Sequence, residues 1–135
     1  SIMKFIVVGM GNFGALLAEQ LTLSGHEVLG IDISMHKIEE IKDKITHAVC
    51  MDITERSSAS TLPLKDTNVV IVAIGKDFAT SIKATAILKE LGAKKLISRA
   101  FSPLHETVLK AINIDQIVNP EFEFAKQFAQ IITSS

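Results

Sequence analysis

Short apolar runs alternate with amphipathic segments along the whole chain. The runs are Phe5-Ile6-Val7-Val8, Val28-Leu29-Gly30-Ile31, His47 through Met51, Val69 through Ile74, Lys95 through Ser98, and Asp115 through Val118. The third is the weakest and the fourth the strongest. The best runs are continuous, the pattern of parallel strands covered on both faces. Between them, Phe13, Leu16, Leu17 and Leu21 share a helical face, and Gly25 suits the left-handed position after a helix. Ile38, Ile41 and Ile45 mark a second helix behind the N-cap Ser34. Residues 54–61 are polar and Ser-rich, with at most one poor helix. Residues 78–91 read as a clear helix closed by Gly92. Ser102-Pro103 and Asn119-Pro120 each set a cap residue before a first-turn proline, which predicts helices over 102–111 and from Pro120 to about Ile132. No repeat or linker interrupts this alternation. It predicts one α/β domain over residues 3–133, a doubly wound parallel six-stranded sheet in the order 3-2-1-4-5-6 with a C-terminal helix.

Gly9-Met10-Gly11-Asn12-Phe13-Gly14 follows the first run and opens the first helix. A G-x-G-x-x-G in this strand–turn–helix context is a Rossmann-like phosphate-binding turn. Gly9 permits the tight turn, Gly11 lets phosphates approach the backbone, and Gly14 lets the helix pack close to the sheet. The helix N-terminus then receives the phosphates. Asp32 ends the second run, 21 residues after Gly11, where a carboxylate accepts hydrogen bonds from the adenosine ribose. An acid there repels a 2′-phosphate, so NADP is disfavoured. Asp52 ends the third run, where it either lines the adenine side of the crevice or caps the following segment. Ala73, Ile74 and Gly75 are small or apolar enough to flank a ribose or adenine at the switch point. Lys76 beside them is either a phosphate ligand or an exposed loop lysine.

Composition narrows the function classes. Apolar residues are 47% and charged residues 21%, which excludes a disordered chain. Fourteen basic residues balance fifteen acidic ones, which leaves no footprint for nucleic acid or for a polybasic membrane anchor. Apolar runs of about seven residues fall far short of the ~20 needed to span a bilayer, so no direct membrane insertion is expected. A lone Cys50 fits a reducing compartment and reads as a small buried hydrophobe. His26, His36, His47 and His105 show no metal-ligand spacing, and His105 reads as a solvated surface residue. No nucleophile–base arrangement is legible. The 135 residues accommodate a cofactor fold but no substrate domain beside it.

Several segments together resemble a known family. They are the glycine turn, Gly25-His26-Glu27-Val28, Asp32, Thr46-His47-Ala48-Val49, Met51-Asp52-Ile53-Thr54, Val70 through Gly75, Leu88 through Gly92, and above all Asp115-Gln116-Ile117-Val118-Asn119-Pro120-Glu121. This pattern is similar to the RCK, or KTN (TrkA-N), nucleotide-binding domain of Trk/Ktr-type potassium uptake systems, and it covers nearly the whole chain. The resemblance implies a regulatory subunit rather than an enzyme. It implies a cytoplasmic location, peripheral at the inner face of the cell membrane through a membrane potassium-transporting subunit. It implies homo-dimers assembling toward an octameric ring, gated by NAD/NADH or ATP/ADP.

Carried over residue by residue, the resemblance makes Gly9, Gly11 and Gly14 phosphate ligands and Asp32 the ribose ligand. Asp52 and the Gly75–Asp77 loop flank base or ribose. Arg99 becomes a candidate for a phosphate or subunit contact. Asn12, Phe13, Ile33, Ile53, Ala73 and Ile74 complete the expected binding set. Glu121 is a candidate ligand for a divalent cation at a dimer contact, against a simpler reading as a first-turn acid that complements the helix dipole. Asn12 departs from the arginine of many Ktr-type members and supplies no charge. Ser98 and Ala100 around Arg99 depart from the acidic calcium site of channel relatives. Phe122, Phe124, Phe128, Ile131 and Ile132 give the last helix two apolar faces. One is expected on the chain's own sheet and the other against a second copy. The alternatives are the cofactor domain of an NAD-dependent oxidoreductase and the regulatory tail of a potassium/proton antiporter. Met3 reads as a natural start, which favours a free-standing subunit; a second, smaller domain in many relatives leaves room for an excised or naturally short chain.

Overall fold

The computed structural model describes residues 1–134. Six strands form one parallel sheet: β1 (Lys4–Val8), β2 (Glu27–Asp32), β3 (His47–Cys50), β4 (Val69–Val72), β5 (Leu96–Arg99) and β6 (Gln116–Val118). Their order is β3-β2-β1-β4-β5-β6, as the sequence pattern predicts. The helices are α1 (Asn12–Leu23), α2 (Met35–Ile41), α3 (Arg56–Ala59), α4 (Phe78–Glu90), α5 (Pro103–Ile112) and α6 (Pro120–Thr133).

The period of two along each strand divides the core. Ile6, Val8, Val70 and Val72 face one side and pack with Ala84, Ile87 and Leu88 of α4. Val7, Val69 and Ile71 face the other and pack with Ala18 of α1 and Ile38 and Ile41 of α2. The continuous apolar runs are therefore read by two cores at once. α1 and α2 cover one face and α3 and α4 the other, and the helices that follow β1 and β4, α1 and α4, lie on opposite sides of these neighbouring strands.

Four local readings shift. The fourth strand ends at Val72 rather than Ile74, because its ladder to β5 stops at Val72 opposite Ser98. α2 ends at Ile41, where an Ile41 O to Lys44 N turn leads into β3; Ile45 is still buried, and its Cδ1 would meet a Cβ on Gly30 at 2.7 Å. α1 presents Gly14 and Ala18 to the sheet, while Leu16 is exposed. Small residues bring this helix close, which rotates Leu16 away from the core. Cys50 is exposed rather than buried, because β3 is an edge strand; its Sγ donates to Ile33 O at 3.3 Å.

His105 overturns its expectation most clearly. It is fully buried, between α4, α5 and the loop after β5. Nδ1 accepts from the backbone N–H of Phe101 at 3.2 Å, so Nε2 carries the proton and faces Ser81 Oγ at 2.9 Å. Thr85 and Ser98 extend this buried polar seam. Burial pushes the His105 pKa below its ordinary 6.5. The sequence signal for this was Leu109 four residues on, which puts His105 on the buried face of α5.

α6 also departs from expectation. No residue of it is buried among those described, and Phe122, Phe124, Phe128, Ile131 and Ile132 are all exposed. Neither apolar face packs on the sheet. Phe124 and Phe128 stack on each other, ring centroids 5.7 Å apart.

Candidate functional site

All strands are parallel, so their carboxyl ends share one edge of the sheet. A cleft of about 1420 Å³ opens there, at the β1/β4 change of side. It is larger than the roughly 300–1,000 Å³ of most small-molecule pockets. Gly9, Gly11, Asn12, Phe13, Asp32, Ile33, Asp52, Ile53, Ala73, Ile74, Gly75, Arg99 and Glu121 all line it. Gly14 does not; it sits behind the turn.

The glycine turn is built for close approach. Gly9 has φ +100, and a Cβ on it would press on the Ala73–Ile74 backbone at 3.2 Å. A Cβ on Gly14 would overlap the carbonyl oxygen of Gly9. These two glycines are required by the fold itself. Gly11 differs: its φ is −73, and a Cβ there would meet nothing within 4 Å. The fold leaves that space open toward the cleft. No side chain caps α1 at Gly11, whereas Ser34, Asp77, Ser102 and Asn119 cap α2, α4, α5 and α6. The orphan N–H groups and dipole of α1 thus face the cleft without a resident acceptor.

Asp32 is fixed by two backbone donors. Oδ2 accepts from Met10 N at 2.8 Å and Oδ1 from Ser34 N at 2.8 Å. The first bond ties the carboxylate to the glycine turn. Each oxygen keeps accepting capacity for hydroxyl donors. Asp52 lines the cleft and closes a local turn ahead of α3 without capping that helix. Its Oδ1 accepts from Thr54 N at 2.9 Å and Thr54 Oγ1 at 2.7 Å, which holds its carboxyl below the usual carboxylate range. Asp77 caps α4 through Thr80 N at 3.0 Å, with the same effect on its carboxyl. Lys76 is exposed at the cleft mouth.

Arg99, at the end of β5, is the cationic group set into the wall, its side chain 12% exposed. Its guanidinium lies 5.4 Å from the centroid of Phe13, a cation–π distance. A Cβ on Gly75 would stand 3.1 Å from its Nη1. Nη2 pairs with Glu121 Oε1, and Nε is buried without an acceptor. Burial lowers its pKa, and guanidinium remains charged throughout. Glu121 is therefore engaged by an arginine, and among the described residues no group of three His, Cys, Asp or Glu side chains could hold a metal ion. It also stands in the first turn of α6 with Glu123, where acids complement the helix dipole. Sequence reasoning missed Met10 N as the anchor of Asp32, the Arg99–Glu121 pair, and Phe124 at the cleft rim. Pairs this distant leave no mark in local spacing.

An uncapped glycine turn, an aspartate at the end of β2 and a wall arginine, set at a doubly wound switch point, are the features of a nucleotide-binding type of domain. The sequence matches the TrkA-N domain over residues 5–120, and the chain belongs to that family. It is 40% identical over 132 residues to Ktr system potassium uptake protein C of Bacillus subtilis, covering 98% of this chain and 60% of that protein. It is 35% identical over 130 residues to Ktr system potassium uptake protein A of the same organism, covering 96% and 59%. The chain thus spans about three-fifths of these curated relatives. The NAD(P)-binding domain of an exopolyphosphatase-related protein from Archaeoglobus fulgidus superposes with TM-score 0.84 at 27% identity, covering 95% of this chain and 96% of that one. More distant structures share the fold: the GsuK channel bound to NAD, at TM-score 0.75 and 13% identity over 87% of this chain and 21% of that one, and the Shewanella denitrificans Kef C-terminal domain with AMP, at 0.74 and 15% over 98% and 83%. No helix among the described residues is long and apolar enough to cross a membrane.

Proposed function

We propose that this domain is a nucleotide-sensing regulatory unit of a Ktr/Trk-type potassium uptake system and not an enzyme. The observation that carries the reading is the uncapped start of α1 facing a cleft whose walls hold Asp32 and Arg99. The potassium-uptake relatives and the nucleotide-bound fold neighbours support it. Phosphates sit on the α1 N-terminus, with Arg99 as a further phosphate contact. Asp32 takes the ribose hydroxyls, and Asp52, Ile53 and the Ala73–Gly75 segment flank the base or second ribose. Gly9 and Gly14 shape the turn. The ligand is an adenine nucleotide or dinucleotide, ATP/ADP or NAD/NADH.

A gating ligand must bind two states differently. Turning a 1:99 equilibrium to 99:1 takes ~10⁴-fold differential affinity, and one site typically supplies ~1–3 kcal/mol of coupling. Several sites in a ring of copies would add their biases, which suits a domain with an unpartnered apolar helix. α6 is the dimer contact in this reading, the ring sits at the inner membrane face under a potassium-transporting subunit, and Glu121 is the group that a divalent cation at that contact would use.

Calorimetry against ATP, ADP, NAD and NADH tests the ligand. Binding of at least one at micromolar strength, weakened by Asp32→Ala, is expected. No binding of any, or turnover of NADH with a 2-keto acid, would overturn the reading. Light scattering tests the assembly; a strict monomer at high concentration, with and without nucleotide, would remove the ring.

A further inference from the structure

Arg99 joins three elements at once. Its guanidinium lies over Phe13 in the first turn of α1, beside the Gly75 loop, and against Glu121 in the first turn of α6. Among the described residues, and apart from the bonds α6 makes to its flanking residues Asn119 and Ser134, the Arg99–Glu121 pair is the one side-chain hydrogen bond or ion pair between α6 and the rest of the molecule. The two partners are unequally held. The Arg99 side chain is 12% exposed and the Glu121 side chain 64%, so arginine is the fixed member and glutamate the movable one. The buried Nε of Arg99 has no acceptor, an expensive condition that an incoming oxygen would relieve.

We propose that Arg99 and Glu121 form a latch that an anionic ligand opens. Phosphate oxygens arriving at the start of α1 take the guanidinium, the Glu121 carboxylate is displaced by competition and like-charge repulsion, and the first turn of α6 is released. Arginine suits this exchange because its planar fork receives phosphate and carboxylate oxygens alike. The latch converts the charge of the ligand into a position of α6, which buries no residue on its own domain. This inference rests on the nucleotide reading of the cleft and assigns its regulation.

Linkage makes the latch measurable: if ADP breaks the pair, breaking the pair must strengthen ADP by the same factor. The chain and its Glu121→Gln variant are titrated with ADP and with adenosine, which lacks phosphate. Hydrogen exchange of residues 120–126 is followed in parallel. Glu121→Gln is expected to raise ADP affinity about fivefold, at the lower end of common coupling, and to leave adenosine unchanged. ADP is expected to speed exchange of this segment in the parent chain and to add nothing in Glu121→Gln. Arg99→Gln should weaken ADP and release the segment without ligand. Normal ADP binding with no gain in Glu121→Gln and no change in exchange would overturn the latch and leave the nucleotide site standing. Failure of the parent chain to bind ADP and adenosine would overturn both.

Discussion

α1 and α6 both begin at the same cleft, and they are finished in opposite ways. α1 buries Gly14 and Ala18 against the sheet and starts at Gly11 without a side-chain cap. α6 is capped by Asn119, whose Oδ1 accepts from Phe122 N at 3.1 Å, and buries nothing. One helix has a satisfied flank and an unsatisfied end; the other has a satisfied end and an unsatisfied flank. An open helix end with its N–H groups free suits a small anion. An open apolar flank suits another surface. Under the proposed function, the difference suits one helix to ligand sensing and the other to assembly, with Arg99 in contact with both.

The largest test strikes the embedded end. Gly14→Ala forces a methyl onto the Gly9 carbonyl and is expected to cost about 3 kcal/mol, read by urea unfolding. A cost under about 1 kcal/mol would show that the turn relaxes and that the close approach is not required.

A second test uses the buried α4–α5 seam as a reference for both helices. His105→Ala leaves the Phe101 N–H without its acceptor and is expected to cost about 2 kcal/mol. The pH dependence follows from its lowered pKa. Below 6.5 the unfolded chain binds a proton at this residue more readily than the folded chain, so stability rises with pH through that range. The contribution is complete above 6.5 and is lost as pH falls below it. His105→Gln should flatten this part of the profile, and an unchanged slope would assign it to other groups.

Asp32→Asn sharpens the ligand side. It removes the charge and one of the two oxygens that accept from Met10 N and Ser34 N, and under the proposed ribose contact a loss of at least about tenfold in nucleotide affinity is expected by calorimetry. Asn119→Ala removes the α6 cap and should cost about 0.5–1 kcal/mol or less. The smallest effect on folding belongs to Phe124→Ser. With the residue 63% exposed, monomer stability should stay within about 0.5 kcal/mol, while self-association measured by light scattering weakens. A large stability loss from this variant would mean that α6 packs on its own domain.

Much of this was legible along the chain because it depends on near neighbours. Strand order followed from continuous apolar runs, and helix starts from Ser34, Ser102 and Asn119 preceding their helices, while the Asp77 cap of α4 emerged only in the structure. The Gly25 and Gly92 endings close with the paired carbonyl bonds expected of left-handed caps, to Leu21 and Thr22 and to Leu88 and Lys89. That the candidate residues would meet was legible for the same reason: residues at strand ends of a parallel sheet share one edge, and all of them but Gly14 line the cleft there. His105 and Cys50 were misread because their burial depends on which elements lie next to them in space.

The sequence by itself determined the parallel six-stranded order, the glycine turn with its fixed distance to Asp32, and the family. Each rests on local periodicity and short spacing. Three features emerged only from packing: α1 starts without a side-chain cap, α6 leaves its flank bare, and Arg99 touches both helices. Such pairings are made between residues far apart in the chain, where the geometry of packing, not the order of residues, sets who meets whom.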